Sequence, residues 1–363
     1  MGDEILLSAF SAFAAEGLPV KFEQCHIGHI NLTYFVDCEG SRQYVLQKIN
    51  TKAFKNPKEL MENIVGVTSH IRAKVISSGG DVNREVVTVI PTRDGKSFYT
   101  DPEGGAWRLY TRVLNAQSYN SAEFEGLFGN AGYAFGRFQR LLSDFPAEKL
   151  HETIPHFHDT ASRLADLKAS YEKDVAGRAA LVKQEMDFIL AHEGICSWIT
   201  SRLADGTFPL RVTHNDTKLN NVMIDNDTHA GVCVIDLDTV MPGSALYDFG
   251  DSIRFGASNA AEDEKDLDKV FMRLELFEEF TSGFLRGLDG KLTEAEILGL
   301  PMSAMIITLE IGIRFLADYL DGDIYFANHY EGQNFDRART QLKLVADMEQ
   351  KYDAMTAIVK KYM

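Results

Sequence analysis

Two aspartates and an asparagine stand at a spacing that suits phosphate chemistry. The stretch VTHNDTKLNNVMIDNDTHAGVCVIDLD, residues 212–238, carries Asp216, then Asn221, then Asp236 after two apolar runs. Residues 221–225 and 232–236 read as β-strands, and the segment 226–231 between them is turn chemistry. A hairpin folds the start of its first strand against the end of its second. Asn221 and Asp236 therefore converge, with Asp216 facing the same point from the preceding loop. An amide oxygen and a carboxylate suit Mg2+, a hard cation that shares its coordination with phosphate oxygens. A further Asp beside them can orient a hydroxyl nucleophile. An ordinary Asp-rich hairpin with polar caps would carry the same residues, so the surrounding elements have to decide.

The pattern His-x-Asp-x4-Asn, with an Ile-Asp pair after the hairpin, resembles the catalytic core of protein kinases and of the aminoglycoside phosphotransferase/choline kinase family. In that template the first Asp receives the acceptor hydroxyl's proton, while the Asn and the later Asp hold Mg2+ on the nucleotide phosphates. The resemblance implies those roles for Asp216, Asn221 and Asp236, with His214 bracing the loop. Asn215 stands where protein kinases place Arg, and Leu237-Asp238 where they place Phe-Gly. Both departures favour the small-molecule branch.

A chain of 363 residues fits two lobes better than one core. Its 45% hydrophobic and 25% charged residues are those of a globular protein. A formal charge of −16 argues against nucleic acid and against anionic membrane surfaces. Cys25, Cys38, Cys196 and Cys233 lack metal-ligand spacing and read as reduced thiols of a cytoplasmic protein, Cys233 as inert core. The N-terminus has no basic region before its apolar residues and is a poor signal peptide. The most membrane-like stretch, residues 301–320, is broken by Glu310, Arg314 and Asp318 and reads as a buried helix.

From about Val20, KFEQCHIG, LTYFVDCE and RQYVLQKIN are three strand-like runs of an antiparallel sheet. Glycine at Gly28 would let backbone N–H groups approach phosphates, and His29 and Asn31 could reach into an interlobe cleft. Lys48 lies where kinase folds place a phosphate-contacting lysine. Strand alternation puts Gln47 and Lys48 on opposite faces, and the sequence leaves open which one meets the nucleotide. Asn56 and Pro57 start a helix as N-cap and N1, with Leu60, Ile64 and Val67 as its buried stripe. Glu59 or Glu62 could pair with the strand lysine, although a solvated face suits each. Further strands are expected over 85–90, 96–100 and 106–113, and a hinge over 114–117 where helices begin.

Beyond the hinge, Tyr133, Phe135, Phe138 and Leu141 recur at helical spacing as core. His156 and His158 stand on opposite sides of any strand and lack a third ligand, so metal binding is not expected there. Asp248-Phe-Gly250 spells the kinase metal motif but follows the hairpin, so Asp248 reads as a cap or brace. Asp238 shares the strand face of Asp236 and could be a second metal ligand or a substrate contact. Arg314 either pairs with Asp318 on the same helical face or faces a cleft and binds a polar substrate. No chemistry is assigned to the C-terminal helix over 334–361.

GHINLTY, YVLQKIN, IPHFHDT, VTHNDTKLNN, VIDLDTVMPGSALYDFGDSIRFGAS and RFLADYLDGDIYF are similar to segments of the bacterial N-acetylhexosamine 1-kinases, across nearly the whole chain. The resemblance implies ATP-dependent phosphorylation, with Mg2+, of the anomeric hydroxyl of N-acetylglucosamine or N-acetylgalactosamine. It implies Asp216 as base, Asn221 and Asp236 as metal ligands, and His29 and Arg314 as sugar contacts. Gly28, Asn31 and Lys48 would face the nucleotide. The expected fold is α+β and bilobal, protein-kinase-like: a small antiparallel β lobe over 1–114 and a mainly helical lobe over 115–363. The expected partners are ATP and a small sugar. The alternatives are a kinase of choline, homoserine, a thioribose or an aminoglycoside, or a nucleotide-binding pseudokinase.

Overall fold

The computed structural model describes residues 3–25 and 30–363. Helix α1 (Asp3–Ser11) precedes strands β1 (Pro19–Cys25), β2 (Leu32–Cys38) and β3 (Gln43–Lys48). Helix α2 (Pro57–Ser77) follows, then β4 (Val89–Ile90), β5 (Tyr99–Thr100) and β6 (Ala106–Thr111). These strands form one antiparallel sheet in the order β1-β2-β3-β6-β4, with β5 also on β6. Of the runs expected over 85–90 and 96–100, only the last two residues of each pair as strand.

The sheet has two faces, and alternation assigns each side chain to one. Tyr44, Leu46, Trp107 and Leu109 pack with Leu6 and Phe10 of α1 and with Phe13 just beyond it. Val45 and Tyr110, of opposite parity, pack with α2 and with Val212, Leu237 and Val240 from the rest of the chain. The second face is therefore the one turned toward the hairpin. Helix α2 begins as its sequence dictates: the Asn56 side chain accepts from the Glu59 N–H, with Pro57 at the first turn. Leu60, Ile64 and Val67 are buried.

The chain does not turn straight to helix after β6. Ala116–Gln117 forms strand β7, which pairs with a strand of the hairpin, so strand character persists through the expected hinge. Helices α3 (Leu127–Leu141), α4 (Thr160–Lys173), α5 (Lys183–Ala191) and α6 (Trp198–Ala204) come next. Strands β8 (Arg211–Thr213), β9 (Val222–Asp225), β10 (Gly231–Val234) and β11 (Met241–Gly243) frame the hairpin. The chain ends in α7 (Ala245–Gly256), α8 (Leu274–Leu288), α9 (Glu294–Leu320) and α10 (Gln333–Lys361).

Helices α3 and α8 lie backbone to backbone. A Cβ at Gly136 would stand 2.1 Å from the Phe284 carbonyl oxygen, and one at Gly283 would stand 2.0 Å from that of Gly129. Only glycine permits that approach. Helix α9 is long and apolar enough to cross a membrane, but 83% of its most apolar window is buried, as expected for a core helix. A capping box of Thr293 and Glu296 starts it.

Candidate active site

The hairpin performs the convergence that its sequence predicts. Val234 pairs with Val222, and the Ile235 N–H then donates to the Asn221 carbonyl at 2.9 Å. Asp236 follows immediately, with φ of +60°, a left-handed conformation that is strained for a non-glycine residue. Asn221 closes a short turn before β9, and its Nδ2 donates to the Asp216 carbonyl at 2.8 Å and to its carboxylate at 3.1 Å. Three oxygen-bearing side chains thus share one corner.

The loop itself is braced from both sides. The His214 ring bonds the Ile235 carbonyl at 2.9 Å. Asp248, in the first turn of α7, accepts the His214 N–H at 3.0 Å and the Asn215 N–H at 2.8 Å. Asp248 is thus a brace, as its position after the hairpin indicates. Asp251, one turn on, accepts the Thr217 N–H at 2.8 Å, and Arg254, a further turn on, grips Asp251 at 3.0 Å. A spacing of three keeps all three on one helix face.

Charge at the corner is uneven. Burial raises the Asp216 carboxyl, but the Lys218 ammonium 2.9 Å away, with the His214 ring and Arg254, outweighs it and holds Asp216 below its ordinary pKa. At Asp236 burial first, then the charges of Asp238 and Asp216, outweigh Arg108 and the His214 ring and push the carboxyl up to about 6. A carboxylate raised by its anionic neighbours, beside an amide oxygen, is a donor set that suits a hard divalent cation. Among the described residues no group of three or more His, Cys, Asp or Glu side chains could hold a metal unaided. Phosphate oxygens would have to complete the shell, as the template has them do. Lys218 escaped the sequence reading. Its signal was available, a cation two residues beyond the loop aspartate.

The sheet side corrects several expectations. Lys48 shares the parity of Leu46 and so lies on the sheet face that α1 covers, 3.4 Å from Asp101 and 5.4 Å from the Trp107 ring centroid. Gln47 has the opposite parity and lies on the face turned toward the hairpin, its amide oxygen accepting from Arg108 at 2.9 Å. Neither Glu59 nor Glu62 pairs with Lys48; Glu62 bonds His151 at 2.7 Å. The cation turned toward the hairpin is Arg108 of β6, buried and ion-paired with Asp238. Asp238 does not continue a strand beside Asp236. The chain leaves the sheet after Val234 and turns at Leu237–Thr239, which swings Asp238 to Arg108 and to Asn31 at 2.6 Å. The other end of the Asn31 amide accepts the Asn50 N–H at 2.9 Å, so Asn31 ties the sheet to the hairpin. Gly28 and His29 lie outside the described residues.

Arg314 does not pair with Asp318. Asp318 instead accepts backbone N–H groups from Ile324, Tyr325 and Phe326 at 2.8–3.0 Å, which fixes the loop after α9. That loop closes rings around Arg314, whose guanidinium lies 5.5 Å from Phe157, 5.9 Å from Tyr325 and 5.6 Å from Phe326. One turn earlier on α9, Glu310 bonds His158 at 2.8 Å, and the other His158 nitrogen bonds the Asn215 carbonyl at 3.2 Å. This relay places the Arg314 stretch of α9 beside the loop that carries Asp216.

The comparisons agree with this architecture. A solved amicoumacin kinase bound to AMP-PNP and Ca2+ superposes with a TM-score of 0.58 at 14% identity, covering 94% of this chain and 93% of its own. Spectinomycin phosphotransferase with ADP and spectinomycin gives 0.57 at 13% identity over 100% and 98%. Choline kinase from Cryptosporidium parvum Iowa II gives 0.58 at 12% identity over 94% and 92%. Identities this low speak for the fold alone, which is the bilobal, protein-kinase-like one. The profile of the phosphotransferase enzyme family matches residues 21–279, and the chain belongs to that family.

Proposed function

We propose that this protein transfers the γ-phosphoryl group of ATP, with Mg2+, to the anomeric hydroxyl of an N-acetylhexosamine, giving a sugar 1-phosphate. The observation that carries the phosphotransfer reading is the corner of Asp216, Asn221 and Asp236, with Lys218 on Asp216. A pseudokinase would have no need of an ionised loop carboxylate held beside a metal-type donor set. The sugar reading rests on the motif similarity along the chain and on the placement of Arg314 beside the catalytic loop.

Asn221 and Asp236 would hold the metal, which supplies charge screening for the phosphates and for the leaving ADP. Asp216 is ionised at neutral pH because its pKa is held down. It orients the acceptor hydroxyl and takes its proton as the new P–O bond forms. Lys218 stands where it can balance charge on the transferring group. Positioning and electrostatics carry most of the acceleration in such a site.

Choline is the less favoured acceptor. A quaternary ammonium needs an aromatic cage, and the rings assembled here already surround the Arg314 guanidinium. ADP release with MgATP and a panel of N-acetylglucosamine, N-acetylgalactosamine, glucose, choline, homoserine and an aminoglycoside tests the reading. Turnover on the N-acetylhexosamines with phosphate on C1 is the expected result. Turnover on another compound alone would retain the chemistry of the corner and discard the sugar.

A further inference from the structure

A cleft of about 370 Å3 opens behind the catalytic loop. That volume lies within the range of small-molecule pockets, roughly 300–1,000 Å3. It is walled by Asn120 and Ser121, by Arg254 at the end of α7, by the segment 258–262, and by Gln341 of α10. Two contacts join it to the loop. The Asn220 amide donates to Asn120 at 3.2 Å, and Arg254 holds Asp251, which receives the Thr217 N–H beside Asp216.

The charges in this cleft are already balanced. Arg254 is buried between Asp251 at 3.0 Å and Glu262 at 2.8 Å, and Arg273 bonds Glu275 at 2.7 Å. A site built for an anion would leave a cation facing it. What this wall leaves without a partner is neutral. Gln341 is 3% exposed, and its amide oxygen is buried with no hydrogen bond. Buried polar groups are nearly always paired, so an orphan on a cleft wall points to a partner that arrives with a ligand. The terminal torsion of a Gln amide is broad, so a small turn presents its oxygen or its NH2 to the cleft.

We propose that this cleft receives the phosphoryl acceptor and that Gln341 reads it, by hydrogen bonding to an amide or hydroxyl group of a neutral sugar. The inference rests on the phosphotransfer reading above. It adds a residue of the C-terminal helix, far from every motif in the sequence, as a determinant of which acceptor is taken.

Steady-state kinetics of Gln341→Leu and Gln341→Glu with MgATP and N-acetylglucosamine, N-acetylgalactosamine or glucose test it. Loss of one neutral hydrogen bond in Gln341→Leu should raise the KM for N-acetylglucosamine ~10-fold. The KM for ATP and kcat should stay within about twofold, the signature of a lost binding contact. Gln341→Glu keeps an oxygen acceptor and should raise the sugar KM less. An unchanged sugar KM in Gln341→Leu overturns the proposal, as does an equal rise for ATP and sugar. If Gln341→Leu does not fold, the isosteric Gln341→Glu decides: a sugar KM raised at least ~3-fold supports the proposal, and an unchanged one overturns it. A wild-type protein that turns over none of the three sugars overturns the sugar reading and this inference together. An active wild type with an indifferent Gln341→Leu overturns this inference alone.

Discussion

On the helical side of the corner, one face of α7 does the bracing. Asp248, Asp251 and Arg254 recur every three residues and together brace the loop from His214 to Thr217. On the sheet side nothing comparable is local. Arg108 reaches Asp238 from a strand 130 residues earlier in the chain, and Asn31 reaches it from 207 residues earlier. The helical side is a rigid mount for the reacting carboxylate. The sheet side is held by ties between distant parts of the chain, with the Arg108 cation at the centre of one of them. The difference predicts that substitutions on the first side act on turnover and those on the second on stability.

The largest effect is expected on the mounted side. Asp216→Asn should fold and bind ATP normally but lose at least ~10²-fold in turnover, the scale of a lost general base. Near-normal ADP release would remove Asp216 from its role. Next, Arg108→Met leaves Asp238 buried without its counter-ion, a change that costs about 3 kcal/mol. Urea unfolding should show that loss, and adding Asp238→Asn should restore some of it. A loss below about 1 kcal/mol would mean that the tie is dispensable and the contrast false.

A smaller, pH-dependent effect is expected at His158. Burial lowers the proton affinity of its ring, and the Glu310 carboxylate more than offsets this, so its pKa lies above the ordinary value. A folded value above the unfolded one gives stability that is full below about pH 6.5 and fades as pH rises through the folded value. The stability gap between wild type and His158→Gln should therefore shrink with rising pH. A gap that is constant across that range would show that the ring is neutral in the folded protein. The smallest effect is expected for Lys48→Met, which should change the KM for ATP by less than about twofold. A ~10-fold rise would return Lys48 to the nucleotide and reverse the assignment of faces.

The features of this site that the sequence made legible are those fixed by local spacing. Asp216, Asn221 and Asp236 lie within one loop and hairpin, and a hairpin's geometry follows from its turn. Asp248 could be read as a brace because it came too late to be a hairpin ligand. The face of Lys48 stayed open in the sequence for a different reason. Its strand has apolar residues of both parities, and only the packing of α1 on Leu46 and α2 on Val45 tells the faces apart. Asp238 failed because regular alternation was extended one turn past the end of the strand. The enclosure of Arg314 draws on Phe157 and on Tyr325 and Phe326, segments that no periodicity connects. Gln341 gave no sign at all, because an orphaned acceptor exists only once the cleft around it is built.

The tie between Arg108 and Asp238 also bears on the catalytic cycle. Arg108 belongs to the sheet and Asp238 to the turn beside the metal-type residues, and both are buried. A wide swing of the sheet away from the helices would pull these desolvated charges apart, a step that costs several kcal/mol. Nucleotide exchange must then proceed with this contact intact, by movement at the rim of the cleft. The tie thus confines the motion that would admit and release nucleotide to that rim, and a variant that loosens it gives up stability.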